Sequence, residues 1–139
     1  REVPEADAAA RAAAIAAAEG SPGAALGFLE QKLGPLHLLM LRILREGDEH
    51  FALRGALADE IGTRPDRERQ LAAADLARAV LAAELASADR ERQGRIITAH
   101  GDLVRLSAQI PTYNFDPALL VLEIGALLAS AAMPREAAA

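Results

Sequence analysis

The 139-residue chain has no cysteine and no tryptophan, and its aromatics are three phenylalanines and one tyrosine. Without cysteine there is no disulfide framework and no thiolate to act as nucleophile or metal ligand. Phe28, Phe51, Tyr113 and Phe115 are too few and too dispersed to form a stacking platform for nucleic acid. Positive charge is short as well: 15 lysines and arginines stand against 20 acids, a formal net charge of −5. That balance argues against a general electrostatic grip on nucleic acid, which needs clustered Lys and Arg. The acidic opening, Arg1-Glu-Val-Pro-Glu-Ala-Asp, lacks the basic start and apolar run of a signal peptide, and Arg1 reads as the edge of a fragment. The one long apolar run is Pro117 to Met133, interrupted only by Glu123. It lies at the short limit for a membrane span and carries its acid mid-run, so it reads as a buried core helix. The expectation is a soluble, cytoplasmic domain with no membrane partner.

What the chain has in quantity is alanine. Of the 52% of residues that are hydrophobic, 34 are alanine and only 38 are larger. Alanine beside leucine, with few β-branched residues, is the composition of closely packed helices. The length suits one domain with a real core, or one domain plus a fragment.

Gly, Pro and polar clusters divide the sequence into about seven helical segments and no convincing strand. Glu5 to Glu19 ends at Gly20, and Ser21-Pro22-Gly23 restarts the chain with Ser as N-cap and Pro at the first helical position. That second helix carries Leu26, Leu29 and Leu33 and stops at Gly34-Pro35. Leu36 to Arg45 is apolar on nearly every side, which predicts a helix enclosed by others. Asp48 can cap the next segment, through Phe51, Leu53, Leu57 and Ile61. The turn Gly62-Thr63-Arg64-Pro65-Asp66 opens a long helix to Ala86, with a stripe of Leu76, Val80 and Ala83 and with Leu81 and Leu85 beside it. Ser87 to Gly94 reads as a polar break. Ile96, Ala99, Leu103, Leu106 and Ile110 then alternate at steps of three and four, and Pro111 ends that helix. Asp116-Pro117 begins the last one, striped by Leu120, Ile124, Leu127, Leu128 and Ala131. The predicted architecture is all-α, an antiparallel helical bundle.

Catalytic and cofactor motifs do not emerge. His37, His50 and His100 lie on different segments without partners at metal-ligand spacing. No Gly-x-Ser-x-Gly turn and no Gly-Lys-Ser/Thr phosphate loop occurs. Among the acids only Glu123 is isolated in an apolar setting. Two charge runs, Arg64-Pro-Asp-Arg-Glu-Arg and Asp89-Arg-Glu-Arg-Gln-Gly-Arg, alternate in sign, so acids lie within reach of most arginines. They read as solvated helix starts in preference to a DNA contact. No cofactor, no metal and no catalytic residue is expected.

One stretch carries a more specific signal. An alanine-rich helix ends in Glu19-Gly-Ser-Pro-Gly, a short helix starts Ala24-Ala-Leu, and about 100 further residues finish in Tyr113-Asn-Phe-Asp-Pro-Ala-Leu-Leu-Val-Leu-Glu123. In this order the chain resembles the C-terminal part of the delta-prime subunits of the bacterial DNA polymerase III clamp loader. There, a lid subdomain of the AAA+ type ends in a Gly-Ser-Pro-Gly-x-Ala-Leu helix and passes into an all-helical collar. The last collar helix often opens with a pattern that Asn114-Phe115-Asp116 resembles. The resemblance implies that residues 1–33 are the end of the lid and residues 34–139 an oligomerisation collar. It also implies a nucleotide-binding domain upstream of Arg1.

ATP-hydrolysing relatives carry a basic residue on the helix after the Gly-Ser turn, where a helix N-terminus already favours phosphate. Here Ser21, Pro22 and Gly23 are followed by Ala24 and Ala25, and Lys32 is too far along to substitute. That helix is therefore expected to be a degenerate, non-sensing one. By resemblance the chain is a non-catalytic subunit fragment that holds a pentameric ring together during DNA replication. Its partners would be the delta and gamma/tau subunits and, indirectly, the sliding clamp and primed DNA. Leu119, Leu120, Glu123, Ile124, Leu127 and Leu128 are expected to divide between the collar core and a neighbouring subunit. Glu123 would pair across that interface or face solvent. The rival readings are the collar of gamma/tau or delta, and the helical ligand-binding domain of a transcriptional regulator.

Overall fold

The structure, a computed structural model, describes residues 33–112 and 116–133. The described residues are helical with short connections and include no strand. Five α-helices follow one another: α1 (Gly34–Glu46), α2 (Ala52–Ile61), α3 (Arg67–Glu84), α4 (Arg90–Gln109) and α5 (Pro117–Ser130), with a single 3₁₀ turn, Leu85–Ser87, after α3. The expected segments before Leu33, together with Tyr113-Asn114-Phe115, lie outside the described residues.

After α1, which starts at Gly34-Pro35 without a side-chain cap, the helices begin where carboxylates can cap them. Asp66 and Asp89 each accept the backbone N–H three residues on, from Arg69 and Arg92, at 2.8 Å in both cases. Asp116 accepts that of Ala118 at 2.9 Å. Such caps satisfy N–H groups that the helix itself leaves unpaired, and each is worth about 1 kcal/mol. Asp48 does the same for α2 from a greater distance along the chain, accepting from Leu53 and Arg54 at 2.8 and 2.9 Å. The chain turns between them through Phe51, whose φ of 64° places a non-glycine residue in the left-handed region.

The core is one cluster. Leu36, Met40, Ile43 and Leu44 of α1 meet Leu57 and Ile61 of α2, Leu76, Val80 and Leu81 of α3, Ile96 and Leu103 of α4, and Leu120, Val121, Ile124 and Leu128 of α5. Ala73, Ala74, Ala77 and Ala99 are buried among them, where the lack of a long side chain lets helix axes approach. Several expectations need correction. Alpha1 is not enclosed, because Leu38 is 64% exposed. The long third helix ends at Glu84, before Ala86, and Ala83 is exposed while Ala77 and Ala73 take its place in the core. The supposed polar break at Ser87 to Gly94 is mostly the first turn of α4, since the Asp89 cap starts the helix at Arg90.

The larger surprise concerns the two charge runs. Each contains the same five residues, Asp-Arg-Glu-Arg-Gln, at 66–70 and at 89–93, and the two copies act alike. Asp caps its own helix. The second arginine reaches out to the carbonyl ends of other helices: Arg69 donates to Glu60 O and Ile61 O at 3.0 and 3.1 Å, and Arg92 to Leu44 O and Ala131 O, both at 3.0 Å. Glutamine returns to the preceding connection, Gln70 to Pro65 O and Gln93 to Leu85 O. These arginines were expected to pair with acids on a solvated face. They turn instead to backbone carbonyls, because a helix C-terminus holds unpaired acceptors and the negative end of the helix dipole. Arg92 is only 4% exposed, and it also pairs with the buried Glu84 at 3.3 Å, whose other oxygen faces Arg45 at 3.3 Å.

These contacts fix the topology. At one pole the ends of α1, α3 and α5 meet the start of α4 around Arg92. At the other, the start of α3 meets the end of α2 through Arg69 and the end of α4 through Arg67, which donates to Pro111 O at 3.1 Å. The helices alternate up and down accordingly. No described helix is long and apolar enough to cross a membrane.

Two expectations follow. Arg92→Ala leaves Glu84 without its buried partner and takes a donor from the Ala131 and Leu44 carbonyls, of which Leu44 O keeps Met133 N–H, and should lower unfolding free energy by about 3 to 5 kcal/mol, read from urea unfolding. A loss of about 0.5 kcal/mol, typical of a surface change, would show that the clasp is dispensable. His37, half-buried on α1, has its pKa lowered from 6.5, first by burial and then by Arg45. The fold therefore favours the neutral ring while the unfolded chain binds the proton more readily, so this contribution is complete above the ordinary value and is lost as pH falls below it and through the lowered value of the folded state. His37→Gln should lose less stability than the parent between pH 7.5 and pH 5 (about one unit either side of the transition).

Candidate assembly interface

The described residues hold no group of His, Cys, Asp and Glu able to bind a metal ion. What they do present is helix surface, and α5 is the element to examine because its sequence is apolar around most of its circumference. Its N-terminus is set by the Asp116 cap and by Pro117 at the first helical position. Its C-terminal carbonyls are taken by arginines of α4: Arg92 holds Ala131 O, and Arg95 donates to Ser130 O and Ala132 O at 3.1 and 2.8 Å. Met133 N–H donates to Leu44 O at 3.2 Å, joining the end of α5 to that of α1.

One side of α5 is fixed by an arginine stem. An ideal Cβ on Gly125 would lie 2.6 Å from Arg54 Cγ, so only glycine lets α2 come this close. Arg54 is held there at its far end, where its Nε pairs with the buried carboxylate of Asp48 at 3.1 Å. Its guanidinium carbon lies 4.0 Å from the centre of the Phe51 ring, a cation–π distance. The same acid that starts α2 thus anchors the side chain on which α5 rests.

The six residues named from sequence separate cleanly on this helix. Leu120, Ile124 and Leu128 are buried in the chain's own core, so a partner cannot reach them. Leu127 is half-buried against that core. Leu119, at 64% exposure, and Glu123 face outward. Glu123 makes no ion pair or hydrogen bond with another described residue. Leu122, missed by sequence reasoning, is 41% exposed. With a neighbouring Ala126 it continues the outward stripe begun by Leu119, at steps of three and four. A helix this apolar gives no periodic cue to which leucines lie outside, which is why Leu122 escaped notice. Ser21, Pro22, Gly23 and Ala24 lie outside the described residues.

The chain was compared with protein-family models, with curated proteins and with solved structures. None matches it. The outward face of α5 therefore has to be judged on its own chemistry. It is an exposed apolar patch of two leucines and an alanine with one carboxylate at its edge that pairs with no described residue. Such a surface suits packing against another helix.

The seat of Arg54 gives a prediction. Gly125→Ala should destabilise the fold by about 1 to 3 kcal/mol through overpacking. Gly101→Ala, on an α4 surface with no atom within 4 Å of the new Cβ, should stabilise it by about 0.5 to 1 kcal/mol. Thermal unfolding of the pair measures the difference, and equal effects would mean that Arg54 moves aside freely.

Proposed function

We propose that the chain is a non-catalytic assembly domain, the collar of a bacterial DNA polymerase III clamp-loader subunit of the delta-prime type, preceded by the end of an AAA+ lid. On this proposal residues 34–139 join delta and gamma/tau subunits into the ring that loads the sliding clamp on primed DNA, in the cytoplasm. The supporting observation is the outward face of α5. After the core has taken Leu120, Ile124 and Leu128, the helix still carries Leu119, Leu122 and Glu123 on its other side, clamped at both ends. The all-helical fold agrees with a collar, and the Gly-Ser-Pro-Gly resemblance supplies the specific family.

A collar of gamma/tau or delta has the same surface requirements and is the alternative within this proposal. The ligand-binding domain of a transcriptional regulator would place several aromatics and polar groups around a cavity. Here the chain has four aromatics in all, and Phe51 sits on the surface against Arg54.

The test is complex formation. Mixed with delta and gamma/tau, the chain should co-elute with them on size exclusion. Glu123→Arg and Leu119→Asp should each weaken that association by at least about tenfold, equivalent to about 1.4 kcal/mol, while the circular dichroism and melting temperature of the isolated chain stay unchanged. Undiminished co-elution of both variants removes α5 from the interface. Failure of the parent chain to join any complex removes the clamp-loader reading altogether.

A further inference from the structure

Alpha4 carries a second stripe that the fold does not use. Its core stripe is Ile96, Ala99, Leu103 and, just past its end, Ile110. On the far side, Arg90, Gly94, Ile97, Gly101, Val104 and Ala108 follow one another at steps of four and three, so they line one face along the whole helix. Ile97 is 60% exposed and Val104 42%. Gly101 stands between them and Gly94 one turn before Ile97, and no atom of a described residue lies within 4 Å of where either Cβ would be. The outcome is an apolar face with two open seats beside its exposed side chains.

Arg90 heads this face, and its role departs from that of its counterpart in the repeated pentapeptide. Arg67, at the same place on α3, donates to Pro111 O. Arg90 makes no ion pair or hydrogen bond with another described residue. An unpaired cation at the end of an unpartnered apolar face awaits an acid.

The chain carries that complement itself. The outward face of α5 offers leucines that protrude, Leu119 and Leu122, where α4 offers glycines, and it has an unpaired acid, Glu123, where α4 has an unpaired arginine. The two faces belong to different helices of one chain. A contact between unlike faces is head-to-tail, so it repeats from copy to copy and either closes into a ring or extends.

We propose that the Arg90–Gly94–Ile97–Gly101–Val104 face of α4 is a docking surface for the outward face of α5 of a second copy of this chain, with Glu123 directed to Arg90. This self-association uses the same α5 face as the clamp-loader reading and would compete with it, but it is measured on the purified chain, without delta or gamma/tau, so the two can fail separately.

The experiment blocks one face at a time. Gly94→Gln with Gly101→Gln fills the α4 seats with side chains whose Cβ meets no described residue. Leu119→Glu with Leu122→Glu spoils the α5 face without touching the core. Circular dichroism establishes that both variants fold. In sedimentation velocity from micromolar to millimolar concentration, the parent chain should form dimers and longer species. Each variant alone should remain a single chain. Their equimolar mixture, with one intact face of each kind, should stop at the mass of two chains. Restoration of contact by Glu123→Arg combined with Arg90→Glu, each alone being weaker, would support the pairing of charges. A parent chain that stays monomeric, variants that associate like the parent, or a mixture that stays monomeric while the parent associates would each overturn the proposal. A monomeric parent whose Gly94→Gln/Gly101→Gln variant loses binding to delta or gamma/tau also overturns it, and assigns the α4 face to those subunits.

Discussion

The structure depends on where helix carbonyl ends are satisfied. Five helices joined by short connections bring several C-termini to the same place, each with acceptors that its own helix leaves unpaired. Water can satisfy such groups at the surface but not inside a bundle. At the pole around Arg92, the carbonyls of Leu44 and Ala131 converge with the Glu84 carboxylate, and one guanidinium serves all three. Arginine suits the position because its donors point in several fixed directions and because a cation stabilises the negative ends of helix dipoles. Its burial is tolerable only with every partner present. The clasp therefore specifies which helix ends meet, in addition to holding them.

Repetition of Asp-Arg-Glu-Arg-Gln at both poles makes this a device of local sequence with long-range effect. Within the pentapeptide the first residue starts a helix and the fourth closes others, so helix initiation and tertiary docking are set by residues one turn apart. Arg92 sits 4% exposed while Arg69 remains partly exposed. The difference follows from what each reaches: the end of one helix in the case of Arg69, the ends of two and an acid of a third in the case of Arg92.

Much of this fold was legible in the sequence where the signal is periodic. Of the stripe Ile96, Ala99, Leu103, Leu106 and Ile110, all but the half-buried Leu106 are buried as their spacing required, and Asp48 and Asp116 cap the helices they were expected to start. The role of Arg92 was not legible, because its acceptors are mostly backbone carbonyls far along the chain, and a carbonyl has no residue signature. Alternating sign suggested ion pairing on a wet face, and Glu91 does pair there with Arg95; Arg67, Arg69 and Arg92 instead leave for the carbonyls of other elements. Alpha5 failed in another way. Apolar on nearly every side, it has no polar face to orient it, so Leu120 and Leu122 are equivalent by type and are separated only by packing.

The glycines bear on what lies beyond the fold. Gly125 has a reason within the chain, since Arg54 occupies the volume that a Cβ would fill. Gly94 and Gly101 have none among the described residues: both sit inside α4, where glycine costs about 1 kcal/mol relative to alanine, and no described residue comes within 4 Å of where their Cβ would be. In a sequence with 34 alanines, alanine at both positions would make a more stable helix. The exposed Ile97 and Val104 on the same face are likewise unneeded for the core, which α4 fills from its opposite side. Features that oppose the isolated fold and share one surface are most simply explained by something that packs there, and the width of a missing side chain fits the close approach of another helix.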